Sequence, residues 1–516
     1  MTDSPRLPRT LAGWLRLFGP GAIIASLTIG TGELIFSTRG GALFGYRILF
    51  LFVAISLLKW GLVLGSARHI VLTGVHPYAR LFDLPGPRGF LAWTLLLIAA
   101  AAVPVWVAFH SAVLGNLISW ITGTREHLSG GSDYLWGSAV LLSIVALAAT
   151  RGYATLERVQ LVVVTTMVAC AGISLILFQP NWSELLLGAV LPRPLVYPPW
   201  LARSYPDIAA EPVWIEATRY VGVIGGAAYD YMAYTSFLRD KQWGNAAMGP
   251  VTGEALQTIA ADRDHPVRKW MRAPLVDCTI SFLLIVVFSG CFVALGALVL
   301  GPHHRVPDEA NMLNLQSTFL TRLHPWLLPL YVSGAFLTML GTLYGTLEVA
   351  CALTKEMGQA IWASRCAPLA PRTLRRATIA WCCAGAVAIL VWLAFDRISG
   401  GQGRPRIVLA ILTPANLFTG VLGCGLFCLL NLWIDRKYLP RGLRLPWWLW
   451  SVNGVAAAVF VLLGVKGYWD LPSRLYAAVA LAAFMIAGMG AAVWFQRKQK
   501  PSRSRADADL TDAFRR

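Results

Sequence analysis

Apolar runs long enough to cross a lipid bilayer recur along this chain from residue 17 to residue 495. A spanning helix needs roughly 20 apolar residues. A backbone inside lipid must satisfy its own hydrogen bonds, which leaves only helices and closed barrels. Twelve runs qualify, at about 17–38, 48–70, 90–118, 135–150, 157–178, 214–238, 274–300, 325–354, 374–395, 406–433, 446–466 and 473–495. They predict an all-α polytopic membrane protein of about 12 transmembrane helices, segments 1 to 12 in chain order. The charge content agrees, because only 14% of the 516 residues are Asp, Glu, Lys or Arg and 56% are hydrophobic. A soluble chain carries about 25% charged residues. The first run is too long for a cleaved signal peptide and lacks a small-residue cleavage site.

The net charge of +18 invites a nucleic-acid reading, but its distribution argues for a membrane. With a cytoplasmic N-terminus, the tails and alternate loops hold 30 Lys and Arg and the opposite loops hold 13, with Lys59 inside a span. This bias predicts an integral protein of the cell or inner membrane with both termini cytoplasmic. The tail QRKQKPSRSR at 496–505 reads as juxtamembrane charge facing lipid headgroups. No nucleic-acid partner is expected. Eight of nine cysteines (170, 278, 291, 351, 382, 383, 424, 428) fall in spans, and Cys366 falls in a loop expected to be cytoplasmic. No CxxC pair occurs, so buried apolar cysteines are expected rather than disulfides or thiolate metal sites.

Segment 1 is interrupted by SLTIGTGELIFS, residues 26–37, where two glycines and Thr31 precede Glu33. Segment 6, RYVGVIGGAAYDYMAYTSFLRDK at 219–241, likewise places a glycine pair before a carboxylate, Asp230. Five spans separate the two interruptions, and an odd repeat unit inverts topology. Segments 1–5 (about 17–178) and 6–10 (about 214–433) therefore read as inverted repeats, each opening on a broken helix. The remaining parts are an N-tail at 1–16, two appended helices within 434–495 and a basic tail at 496–516. Paired glycine-interrupted segments in matching places mark a transporter's binding site. Glycine lowers the cost of unwinding. Freed carbonyls can then bind a cation, and the half-helix N-terminus an anion. A mid-span carboxylate costs at least roughly 2.5–3.5 kcal/mol on insertion scales. Glycine pairs also serve close helix packing, so each interruption taken singly has that reading too.

Other polar residues in spans form a candidate coupling network. Lys59 in segment 2 either neutralises Glu33 or Glu348 or extends past a helix neighbour. Glu348 in segment 8 reads as a network partner, and His110 in segment 3 as a satisfied interior histidine that titrates near neutral pH. Asn416 follows Pro414 in segment 10 and marks a further local break. His303 and His304 read as solvated loop residues.

The stretch GPGAIIASLTIGTGELIFSTRGGALFGYRILF resembles the start of the Nramp (natural resistance-associated macrophage protein) family. Gly19-Pro20, the break at 30–33, Gly40-Gly41-Ala42 and Gly45-Tyr46 follow in the family's order. The segment 3 ending AVLGNLISWITG and the segment 10 ending LLNLWIDRKYLP are similar as well. The resemblance covers roughly residues 15–435 and implies a LeuT-type transporter of divalent metal, usually manganese or iron, with protons. The family's DPGN ligand motif falls on Gly30-Thr31-Gly32-Glu33, and its MPH motif on Ala227-Ala228-Tyr229, followed by Asp230. Its segment 3 proton-relay acids fall on Pro104 and Val107, and its segment 6 histidines on Tyr229 and Tyr234. The resemblance thus implies a substrate site at Gly30, Thr31, Gly32, Glu33, Ala227, Tyr229 and Asp230, with Glu33 and Asp230 as metal ligands. Without the thioether, an all-oxygen site suits a hard ion such as magnesium, calcium or manganese.

The expected function is secondary transport by alternating access. No GxxxxGK[ST] loop points to an ATP-driven pump, and no HExxH-type spacing points to a metalloenzyme. An enzyme and a resident cofactor are not expected. A transporter of a small organic solute such as an amino acid stands beside the metal reading on the same scaffold. In that case the break would hold a carboxylate, and Glu33 or Asp230 an amine.

Overall fold

The computed structural model describes the chain apart from residues 1–7, 9, 16, most of 151–171, 247, 308–311, 322–323, 363–370, 400–413, 415, 472 and 498–516. Among the described residues helices are the regular secondary structure, joined by loops, with no strand. Among the described residues, eight helices are long and apolar enough to cross a membrane. These are segments 2, 3 and 7 to 12, with the helix of segment 8 running from Leu328 to Trp362, past its expected end at 354. Segment 4 forms the helix Ser132–Thr150. Most of segment 5, the basic tail from 498 onward, Cys170 and Cys366 lie outside the described residues. The other seven cysteines are free thiols, six of them buried, as expected.

Two segments depart from a single straight helix, and they are the two marked by glycine and carboxylate. Segment 1 divides into Pro20–Ile29 and Thr31–Phe44, with Gly30 between them. Segment 6 divides into Val213–Val223 and Ala228–Asp240, with Ile224 to Ala227 unwound. Elsewhere the helices end where local chemistry stops them. Segment 2 (Leu49–Thr73) closes on Gly74 in the left-handed region, φ +68°, whose N–H donates to the Ile70 carbonyl at 2.8 Å.

The broken segments lie at the centre of the molecule. The helix of segment 7 (Arg272–Leu295) packs along both halves of segment 1, and segments 2 and 8 pack against the second half of segment 6. Small residues set these approaches, as is usual for helices in lipid. A Cβ at Gly41 would meet the Val293 carbonyl of segment 7 at 2.1 Å. Segment 12 (Arg474–Arg497) lies at the periphery and presents most of its apolar surface outward. Exposed Trp447 and Trp469 bracket segment 11, the positions that interfacial aromatics take at the two sides of a bilayer.

Short helices in the loops, Trp182–Val190, Gly253–Ala261 and Met312–Thr321, went unanticipated. They are too short to register as spans. His303 and His304 are exposed, as expected, and His304 stacks on Trp200 with ring centroids 4.8 Å apart.

Candidate functional site

Unwinding four residues in the middle of a membrane protein strands peptide groups that no water can reach, so each needs a partner. The break in segment 6 shows where they go. Gly225 and Gly226 both have positive φ, +82° and +95°, a conformation open to glycine at little cost. The Gly225 N–H donates to Glu33 Oε1 at 2.8 Å. The Gly226 N–H donates back to the Val223 carbonyl at 3.2 Å. The Ala227 N–H donates to Asp230 Oδ2 at 2.7 Å. On the acceptor side, Lys59 Nζ donates to the Ile224 carbonyl at 2.7 Å and the Gly226 carbonyl at 2.6 Å. The Tyr231 hydroxyl donates to the Gly225 carbonyl at 2.6 Å and reaches the Gly226 carbonyl at 3.2 Å. The Ala227 carbonyl accepts from the Asp230 and Tyr231 N–H groups.

Three ionisable side chains from three segments thus replace the helix hydrogen bonds that the break removes. Carboxylates take the N–H groups and the ammonium takes the carbonyls, charge-assisted bonds stronger than neutral ones. Glu33 and Asp230 hold matching places. Each is the third residue of the helix that follows its break, Thr31–Phe44 and Ala228–Asp240. Asp230 serves its own helix start, the reciprocal half of a capping box. Glu33 reaches across to the other break. Its second oxygen, Oε2, is buried with no hydrogen-bond partner among the described residues. Asp230 is half-buried. The two carboxyls and Lys59 lie within electrostatic reach of one another.

The carbonyls of the segment 6 break are therefore not free ligands, contrary to expectation. Lys59 and Tyr231 occupy them. Of the roles expected of Lys59, extension past a helix neighbour is not seen, and its charge reaches Glu33 without a direct ion pair. It is fully buried, so it does not extend to an interface. Among the described ion pairs it forms none with Glu33 or Glu348. Glu348 pairs instead with Arg375 of segment 9. His110 sits among aromatic rings of its own helix, with Trp106 at 5.9 Å and Phe109 at 5.6 Å. Neither residue joins the break. Asn416 does come close, through Gly222 at the end of the first half of segment 6, where an added Cβ would lie 2.4 Å from Asn416 Nδ2. A π-helical turn, Leu417–Leu422, follows it.

The glycines of the first break serve packing. A Cβ at Gly30 would fall 1.4 Å from Thr342 Oγ1 on segment 8, and one at Gly32 would fall 2.5 Å from Val223 Cγ1. Ala227 is the N-cap of the second half of segment 6. Tyr229 turns its hydroxyl to the Leu95 carbonyl of segment 3 at 2.9 Å.

Two further polar centres position the half-helices, and the sequence reading missed both. Asp277 of segment 7 is buried and accepts from the Gly19 and Gly21 N–H groups at 3.0 and 2.7 Å and from the Tyr234 hydroxyl at 2.8 Å. It ties the start of segment 1 to segments 6 and 7. Glu216 is fully buried and accepts from Arg39 Nε at 2.5 Å, Arg219 Nη1 at 2.8 Å and the Tyr220 hydroxyl at 2.7 Å. Arg39 lies on the second half of segment 1 and Glu216 on the first half of segment 6, so this pair clamps the two together. The signal for Asp277 was present, a lone carboxylate in the apolar run PLVDCTISFLL.

A family model described as natural resistance-associated macrophage protein-like matches residues 21–470. A divalent metal cation transporter MntH of Xylella fastidiosa is 22% identical over 478 residues, covering 90% of this chain and 87% of that protein. Among solved structures, a variant of the Eremococcus coleocola manganese transporter is similar, with a TM-score of 0.66 at 15% identity, covering 99% of this chain and 97% of that one. Mhp1, a nucleobase-cation-symport-1 family transporter, is similar at a TM-score of 0.51 and 16% identity, with 96% of each chain covered. These likenesses show the fold, the LeuT-type arrangement with broken segments 1 and 6.

Proposed function

The chain belongs to the Nramp family, and from that premise we propose that it is a secondary transporter that moves divalent metal ions by alternating access. The observation that carries the reading is Glu33 Oε2. A buried carboxylate oxygen without a donor is costly to keep, and a cation seated between it and Asp230 would satisfy it. Two nearby carboxylates in a low-dielectric interior repel unless a cation or proton lies between them. The donor set is all oxygen, because Ala227 stands where the family places a thioether. Hard ions, magnesium and manganese, are the proposed substrates. Protons compete with metal for the same carboxylates, so uptake should fall as the pH is lowered.

The proposed core spans 17–433 as two inverted repeats, about 17–178 and 214–433, with segments 11 and 12 appended and both termini cytoplasmic. The 30-to-13 split of basic residues supports that orientation.

The test is isotopic uptake of manganese and magnesium into proteoliposomes by the parent, Glu33→Gln and Asp230→Asn. The expected result is uptake by the parent and a loss of at least tenfold in each variant. A parent that carries neither ion but takes up an amino acid or amine would sink the metal reading and leave an organic-solute carrier using the same break.

A further inference from the structure

Lys59 is the one charged group at the break whose chemistry metal transport leaves unexplained. It is fully buried, yet it forms no ion pair among those described. Its ammonium is held by backbone dipoles. In a continuous helix the Ile224 and Gly226 carbonyls would accept from the N–H groups four residues on, those of Ala228 and Asp230. Unwinding breaks that register, and the Asp230 N–H goes to the Ala227 carbonyl instead, at 3.0 Å. The two freed carbonyls converge on Lys59 Nζ at 2.7 and 2.6 Å. Converging backbone carbonyls at a helix break are the ligands by which transporters and channels hold alkali ions. The site fits the stem as well as the head. A Cβ at Gly225 would lie 3.3 Å from Lys59 Cδ, and the Tyr231 hydroxyl holds the intervening Gly225 carbonyl at 2.6 Å and shares the Gly226 carbonyl at 3.2 Å.

We propose that the Lys59 ammonium is a tethered monovalent cation, filling the carbonyl-lined position that unwinding segment 6 creates, where a mobile alkali ion would otherwise bind. The carrier thus holds its own single positive charge at the break and needs no sodium or potassium to complete it. Substrate cations are left to the carboxylate side, at Glu33 Oε2 and Asp230. This deepens the metal-transport reading and rests on it only for the use the site serves.

The test is a thermal melt of the full chain in detergent with chelator and no divalent ion, so its outcome is separate from that of the uptake assay. Lithium, sodium, potassium and choline chlorides are compared at equal ionic strength. The parent should melt at the same temperature in all four. Lys59→Met should melt lower in choline and recover by several degrees, saturably, with one of the alkali ions. Lys59→Gln keeps an amide that can donate to the carbonyls and should stay indifferent to the salt. Three results would each overturn the proposal: alkali-ion dependence in the parent, a Lys59→Met melt that is the same in all four salts, or a Lys59→Met protein that no salt recovers while Lys59→Gln is recovered.

Discussion

The breaks in segments 1 and 6 occupy matching places and carry a carboxylate at the same helical position, yet they are held by opposite means. The first opens at Gly30 alone, whose φ of −70° lies outside the left-handed region. Its glycines are there for space, because Thr342 and Val223 press against them. The second opens over four residues, and its glycines are there for conformation, with φ of +82° and +95°. A break this wide cannot satisfy itself, so it draws on Glu33, Lys59, Asp230 and Tyr231. Glu33 is available because its own break needs so little. Two interruptions that look equivalent in sequence thus divide the labour, one lending a carboxylate and the other receiving it.

The largest effect should come from what clamps the second half of segment 1 to the first half of segment 6. Glu216→Ala leaves Arg39 and Arg219 without their buried partner, and breaking such a pair costs about 3–5 kcal/mol. Thermal melting in detergent reads this. A shift no larger than that of Glu184→Ala, which breaks an exposed pair with Arg193, would mean the half-helices are held by packing alone.

The contrast between the glycines is sharpened by substituting each. Gly30→Ala overpacks the contact with segment 8 and should cost about 1–3 kcal/mol. Thr342→Ala removes the hydroxyl it strikes and should recover part of the loss. Gly225→Ala forces a side chain into left-handed backbone at a cost of about 1–2 kcal/mol. Trimming a neighbour should not restore it, because the strain is in the backbone. Rescue of Gly225→Ala by Phe282→Leu, which trims the ring an added Cβ would meet at 3.4 Å, or failure of Thr342→Ala to rescue Gly30→Ala, would break the distinction.

The smallest effect concerns the loop that leads into segment 3. His76 accepts the Tyr78 N–H on Nδ1 at 3.1 Å, and its Nε2 lies 3.0 Å from the Met232 carbonyl on the second half of segment 6. Burial holds this imidazole below its ordinary value, with Arg239 acting the same way and Glu356 opposing. The folded state therefore binds fewer protons here than the unfolded one below roughly pH 6.5. The stability it contributes is present above that pH and is lost as the pH falls. Melting temperature should drop between pH 7 and 5, and His76→Asn, which keeps a capping oxygen, should flatten that drop. An unchanged slope in the variant would assign the acid sensitivity elsewhere.

Much of this was legible in the sequence. Apolar runs showed the spans, and glycine before a mid-span carboxylate marked the two breaks. These are properties of neighbouring residues, which hydropathy and backbone preference express locally. Glu348 and His110 were grouped with the site because charge inside a span is informative about depth, and depth says nothing about direction. In the structure they turn to Arg375 and to aromatic neighbours.

The sequence by itself determined that segments 1 and 6 are interrupted and that Glu33 and Asp230 stand just beyond the interruptions. Only the tertiary structure decided what those charges do. Glu33 meets the Gly225 N–H across 192 residues of chain, and Lys59 meets the Ile224 carbonyl across 165. A buried polar group must find a partner, but which one it finds depends on which helices pack together. That choice follows from the close approaches of Gly30 to Thr342 and of Gly32 to Val223, and no local pattern in the chain encodes them.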